Sequence, residues 1–303
     1  MLQASRNDRF TPGSVPEHAA SVQQVLLWAT SALSEAGVPS PRLDAEVLLA
    51  HVLGWQRAGL YARPEFELTP AQQQAFQAFV ERRYRREPVP YITGHREFYG
   101  LDFMVDRRVL IPRPETELLV ERALETAVHL VTGKQPLILA DVGTGSGVIA
   151  ISLAMHLPHA MVYATDAFAE ALEVAACNIS RYGLSQRVHL LQGDLLQPLP
   201  EPVHLIVANL PYVSTGYLAT AAPDVVDYEP LVALDGGPDG LAQIRRLLTQ
   251  AGPWLLPGGA MLLEIGAGQG KEVMTFAAQC YPAAQVELFQ DYAGLDRIVR
   301  IQT

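Results

Sequence analysis

The run Asp141-Val142-Gly143-Thr144-Gly145-Ser146-Gly147-Val148 closes an apolar segment and opens a helical one. Glycines let a chain turn sharply and let a ligand approach where any Cβ would collide. The helix that follows presents unpaired N–H groups at its start. The spacing is Gly-x-Gly-x-Gly, whereas a dinucleotide pyrophosphate favours Gly-x-Gly-x-x-Gly. A plain tight turn is the alternative reading. Twenty-five residues after Asp141, Asp166 ends the next apolar run. A carboxylate there can accept from both hydroxyls of a ribose, cap a helix, or do both. Asp194 and Leu195 follow the third run; Asp194 could accept from an adenine amino group while Leu195 packs on the purine, or the pair could be a surface turn. Together these positions describe an adenosine site without a phosphate clamp, and S-adenosylmethionine fits that description.

The fourth apolar run ends in Asn209-Leu210-Pro211-Tyr212. Here the sequence resembles the amino methyltransferases, whose signature at this place is Asn-Pro-Pro-Tyr and which methylate planar NH2 groups of adenine, cytosine or glutamine. An amide nitrogen is a poor nucleophile because its lone pair is delocalised. Two acceptors that bind both of its N–H groups hold it in line with the methyl carbon and stabilise the charge that develops on it. On this resemblance the Asn209 oxygen is one acceptor, the Leu210 carbonyl the other, and Tyr212 an aromatic wall. Leu210 departs from the usual proline: the carbonyl is kept, while the fixed φ is lost and a backbone N–H is gained. A β-turn built on Asn and Pro is the bland alternative.

Further segments narrow the resemblance. Gly94 to Gly100 (GHREFYG), Val109 to Glu117 (VLIPRPETE), Tyr228-Glu229-Pro230, Ala233 to Gly237 with Asp239-Gly240-Leu241, Leu263-Glu264-Ile265-Gly266 with Gln269, and Asp291 to Arg297 are similar to the HemK/PrmC family of release-factor glutamine methyltransferases. The likeness runs from about residue 20 to 301. It implies N5-methylation of the glutamine in the Gly-Gly-Gln tip of class I peptide chain release factors. Gly143 to Gly147 and Asp166 then match cofactor contacts, and Asn209 to Tyr212 the substrate amide site. Phe98 matches an aromatic lining the cofactor side, and Arg113, between two stiffening prolines, a residue beside the reaction chamber.

Those residues need a scaffold. From residue 137 onward strand and helix patterns alternate, with strands at 137–141, 161–165, 188–192, 204–208, 260–264, 286–290 and 298–301. Alternation of this kind means a mainly parallel sheet covered on both faces, and the last two strands, with no helix between them, suggest an antiparallel edge hairpin. The fold class is α/β, a Rossmann-like methyltransferase sheet with a small N-terminal helical domain. The expected organisation is a mobile tail over 1–19, helices over 20–90 that grip the substrate, a linker with a β-hairpin over 91–113, and a methyltransferase domain over 114–303. Helices are predicted over 21–36, 42–52 and 69–86.

With 49% hydrophobic and 18% charged residues the 303-residue chain can bury a sizeable core. The net charge of −10 argues against stable nucleic acid binding, which needs a positive field. Arg82, Arg83, Arg85 and Arg86 are the one basic cluster, read either as a solvated helix face or as a contact for an acidic surface of the release factor. The two cysteines, Cys177 and Cys280, are expected on helices as buried thiols. No signal peptide and no membrane span is visible, so a cytoplasmic monomer without metal is expected. Three rival readings share parts of the pattern: a ribosomal protein glutamine methyltransferase, a DNA adenine methyltransferase, and a non-catalytic protein that kept the fold.

Overall fold

The computed structural model describes residues 20–130 and 136–303; the tail expected over 1–19 lies outside them. The chain forms two compact units. One is built on the chain up to Gly94 together with Pro223–Tyr228, the other on His95–Ala222 with Glu229–Thr303.

The first unit is helical. Helix α1 (Val22–Glu35) starts at a capping box in which Ser21 and Gln24 bond each other's backbone, and it buries Val22, Val25, Leu26, Ala29 and Leu33, the stripe its 3.6-residue period requires. Helix α2 (Pro41–Leu53) stops at left-handed Gly54, α3 (Arg57–Ala62) is short, α4 (Pro70–Tyr84) has a second capping box on Thr69 and Gln72, and α5 (Val89–Thr93) closes the unit. Three of the four arginines of the basic cluster are held by partners within this unit. Arg83 is buried, bonding Asp44 at 2.7 Å and Asp224 at 2.8 Å. Arg86 bonds Asp224 at 2.5 Å and the Gly37 carbonyl at 2.8 Å, and Arg82 is forked onto Glu87. Only Arg85 is loosely held, 3.9 Å from Glu81. The arginines are internal cement because burying a guanidinium requires a paired carboxylate.

The second unit opens with a hairpin, β1 (His95–Phe98) and β2 (Leu101–Met104). Tyr99 and Gly100 between them both have positive φ, the geometry of a two-residue hairpin turn. Helix α6 (Thr116–Leu130) follows. Then come β3 (Ile138–Val142), α7 (Val148–His156), β4 (Met161–Asp166), α8 (Ala169–Arg181), β5 (Val188–Gln192) and β6 (Val203–Ala208). After two short helices, α9 (Thr215–Leu218) and α10 (Pro223–Val226, part of the helical unit), the chain adds α11 (Ala242–Gln250), β7 (Leu255–Glu264), α12 (Gly270–Cys280), β8 (Gln285–Gln290) and β9 (Asp296–Gln302). The sheet order is β5-β4-β3-β6-β7-β9-β8. The first five strands are parallel and the β8–β9 hairpin runs antiparallel at the edge, as the alternation predicts. Both sheet faces are covered by apolar clusters.

Register positions the chemistry. Val142 stands beside Ala208, and Ala208 beside Leu263. The residues that follow, Gly143, Asn209 and Glu264, therefore emerge side by side at the carboxyl rim, where open α/β sheets bind ligands. Both cysteines do lie on helices, but Cys177 is exposed, outside the buried stripe of α8, and Cys280, at the end of α12, is only partly buried where it packs against the core.

Candidate active site

A cavity of about 700 Å³ opens at that rim. Gly143, Thr144, Gly145 and Ser146 line it together with Asp166, Asp194, Leu195, Asn209, Leu210, Pro211 and Arg113. Three residues predicted for the site are not brought to its wall. Phe98 is core: it packs edge-on to Phe103 at 6.2 Å between ring centres and is almost fully buried. Its place on the inward face of β1 explains the aromatic. Gly147 starts α7 at φ +83°, and a Cβ there would press on Ile151 and Ala175 at 3.3 and 3.4 Å, so glycine serves helix packing. Tyr212 is turned away from the cavity, its hydroxyl donating to Glu264 Oε1 at 3.1 Å.

The glycine loop is shaped from below. Gly143, Gly145 and Gly147 all have positive φ, which a side chain rarely tolerates. Asp141, with no exposure, accepts from the Thr144 hydroxyl at 2.6 Å and from the Ala150 N–H at 3.1 Å. Burial pushes its carboxyl up to about 7 against those two bonds. Buried Asn178 donates to the Ser146 carbonyl at 2.9 Å and exchanges two bonds with Met104, tying loop to hairpin. Asp166 accepts from the Gly145 N–H and the Phe168 N–H, both at 3.0 Å, so it braces the loop and caps the turn into α8 together. Burial also raises its pKa. A carboxylate offers about four lone-pair sites, which leaves capacity toward the cavity. Asp194 accepts from Arg246 at 2.5 Å, and Leu195 sits at φ +51° with its carbonyl held by Thr165.

The Asn-Leu-Pro-Tyr segment is clamped by residues distant in sequence. Val213 N–H donates to the Leu234 carbonyl and Gly236 N–H returns to Val213. The Gln269 side chain donates to the Tyr212 carbonyl at 3.0 Å. A Cβ on Gly236 would sit 2.6 Å from the Pro211 carbonyl oxygen, and one on Gly240 closer still to that of Tyr212. The rigidity that Leu210 gives up by not being proline is thus restored from outside. Its side chain joins the core and lies 3.1 Å from where a Gly143 Cβ would be, so the motif and the glycine loop touch. Among the described residues neither the Asn209 Oδ1 nor the Leu210 carbonyl has a hydrogen-bond partner, while Asn209 Nδ2 donates to the Thr116 hydroxyl at 3.1 Å.

Three contributors had no role assigned from sequence. Glu229 accepts from Arg113 at 2.5 Å and from the Ile111 N–H at 3.2 Å, holding the Pro-Arg-Pro strap against the cavity. Thr116 supports Asn209. Glu264 is fully buried, and burial pushes it up to about 7, opposed by hydrogen bonding from Thr116 and Tyr212 and by the charge of Arg297. Burial and Glu264 raise the Tyr212 hydroxyl in turn. A signal existed for all three in the segments around 116, 229 and 264, but no local pattern says what each side chain touches.

The groups present suit a ligand of neutral or positive character. Arg108 and Arg246, at the cavity's edge, are already paired with Asp106 and Asp194. Carboxylate, hydroxyl and open glycine backbone remain, and these suit an adenosine with an attached sulfonium. Fold and site define a methyltransferase that uses S-adenosylmethionine.

Comparison with known proteins agrees. The chain matches the PrmC N-terminal domain over 24–94 and the methyltransferase small domain over 116–224. It is 46% identical to the release factor glutamine methyltransferase of Moorella thermoacetica over 278 residues, 91% of this chain and 96% of that one. It is 41% identical to that of Geobacter sulfurreducens, over 92% and 95%. A methyltransferase from Pyrococcus furiosus shares the fold at TM-score 0.51 and 18% identity, covering 68% of this chain and 90% of its own. The chain belongs to the release factor glutamine methyltransferase family.

Proposed function

We propose that the substrate is the glutamine of the Gly-Gly-Gln motif in class I peptide chain release factors, methylated on its side-chain amide nitrogen. One observation carries this reading. Two neutral acceptors on consecutive residues, Asn209 Oδ1 and the Leu210 carbonyl, have no partner among the described residues and adjoin the glycine loop. An amide NH2 has two donors to match them. S-adenosylmethionine supplies a methyl group made electrophilic by its sulfonium. The protein's part is placement: Gly143 to Ser146, Asp166, Asp194 and Leu195 hold the nucleoside end, and Asn209 with Leu210 fix the amide nitrogen toward the methyl carbon. Pro211 stiffens the turn, and Arg113, steadied by Glu229, stands at the mouth where a backbone carbonyl of the substrate tip can reach it. The acceptors are most valuable when positive charge grows on nitrogen, so they favour the transition state over the bound amide. The substrate places the work in the cytoplasm, where translation terminates.

The test is incubation with S-adenosylmethionine and a purified release factor, followed by mass spectrometry of the peptides. One added CH2 on the Gly-Gly-Gln glutamine is expected. Label confined to a ribosomal protein or to DNA would replace this substrate with a rival. Asn209→Ala should lower kcat by roughly 10²–10³-fold, with cofactor affinity changed only a few-fold.

A further inference from the structure

Asparagine presents an oxygen on one side of its carboxamide and an NH2 on the other, and the two ends have nearly the same shape. The reading of Asn209 as amide acceptor requires the oxygen to face the cavity. Nothing in Asn209 itself enforces that. Its neighbour Thr116, 2% exposed, carries one hydroxyl proton and lone pairs. Were Thr116 to donate to Asn209, the oxygen would turn inward and the NH2 outward. The cavity would then offer a donor to a substrate that also brings donors.

The direction of that one proton is therefore decisive, and a second neighbour sets it. Glu264 emerges from β7, which pairs with the strand that leads into Asn209, and has no exposure; helix α6, which begins at Thr116, packs against β7, so the Thr116 hydroxyl lies within the electrostatic reach of that carboxyl. Its Oε1 receives Tyr212, and among the described residues its buried Oε2 has no hydrogen-bond partner. An ionised carboxylate only accepts. We propose that Glu264 draws the Thr116 proton toward itself, so that the Thr116 oxygen must accept from Asn209 Nδ2 and the Asn209 oxygen is locked toward the cavity. Glu264 and Thr116 are positioning residues, and this rests on the reading of Asn209 given above. A buried, under-partnered carboxylate destabilises a fold; its presence here is explained by the orientation it enforces.

The test uses the full chain at pH 8 with Glu264→Gln, Thr116→Val, Thr116→Ser and the Glu264→Gln/Thr116→Val pair. Glutamine at 264 brings an N–H that can donate to Thr116 and release its proton to Asn209. The expected results are a loss in kcat of roughly tenfold or more for Glu264→Gln and for Thr116→Val. The double variant should fall no further than the worse single one, because both break one relay. Thr116→Ser should keep near-normal turnover, cofactor Kd should stay unchanged throughout, and the melting temperature of Glu264→Gln should be no lower than that of the parent. Losses that multiply, a cofactor Kd that worsens as much as kcat, or near-normal turnover in either single variant would overturn the proposal. Should Thr116→Val fail to fold, Thr116→Ala carries the same expectation. A second arm needs no protein substrate: hydrogen exchange of the Asn209 side-chain NH2 by NMR should be slow in the parent and in Thr116→Ser, and fast in Glu264→Gln and Thr116→Val. Equal exchange in all four would sink the relay even if the methyl acceptor proved to be some other protein. Absence of methylation by the parent alone would count against the substrate instead.

Discussion

Leu210 and Gly240 show how a departure in one residue is absorbed by others. Proline at 210 would pre-set the backbone; leucine does not, yet the Tyr212 carbonyl is held by Gln269 and the turn by Gly236 and Gly240 pressed against it. Gly240 is doubly constrained, by φ +79° and by contact with the Tyr212 carbonyl. Gly240→Ala should therefore cost about 1–3 kcal/mol of stability by overpacking. It should also shift the acceptor carbonyls enough to lower kcat by roughly 10²-fold. Urea unfolding and steady-state kinetics on the same preparation would check both, and unchanged kcat would show that the motif does not lean on that glycine. The same residues account for part of what was legible in advance. Glycine loop and Asn-Leu-Pro-Tyr announce themselves because their chemistry is local. Phe98 and Tyr212 were expected at the site yet do not line the cavity, and an aromatic near a site reads the same in sequence whether it faces ligand or core.

Among the elements, α10 has the least visible role in sequence. Four residues long, it belongs with the helical unit, where Asp224 bridges Arg83 and Arg86. Replacing either arginine would leave Asp224 short of a partner, so charge reversal in this cluster reports on folding before it reports on docking. Asp224→Ala should leave Arg83 with Asp44 as its remaining carboxylate and destabilise the helical unit by about 1–3 kcal/mol. The check is the urea midpoint followed by fluorescence of Trp28 and Trp55, both in that unit; an unmoved midpoint would mean the pairs contribute nothing. Helices α1, α2 and α4 and the sheet strands were readable within a few residues, except that β7 begins at Leu255, five residues before the expected start at Ala260, since an apolar stripe or run must be buried wherever it occurs. A four-residue helix has no period to read.

For the molecule as a whole, two carboxyls without exposure set the pH response. Asp141 and Glu264 move from ordinary values of 3.8 and 4.5 to about 7, raised by burial. The folded state then keeps protons that the unfolded chain has released. The resulting stabilisation is complete below the unfolded values and is lost as pH rises through about 7. Urea midpoints should therefore decline between about pH 5 and pH 8, and the decline should be shallower in Glu264→Gln. A midpoint flat across that range would mean that neither carboxyl is protonated in the fold. The glycine loop and the acceptor site both bear on these acids, so the fold carries a standing cost at working pH to shape its active site.

Composition and period were sufficient for the α/β class and the parallel sheet with its edge hairpin, the glycine spacing pointed to a nucleoside-type loop, and a resemblance to the amino methyltransferases supplied the reading of Asn209 to Tyr212. Each of these is encoded by neighbours along the chain. The Asn209–Thr116 bond spans 93 residues and the Tyr212–Glu264 bond 52, and Arg113 finds Glu229 across 116. Only sheet register and helix docking bring such pairs within hydrogen-bond reach, so which way Asn209 faces, and what keeps it there, was decided by the tertiary structure alone.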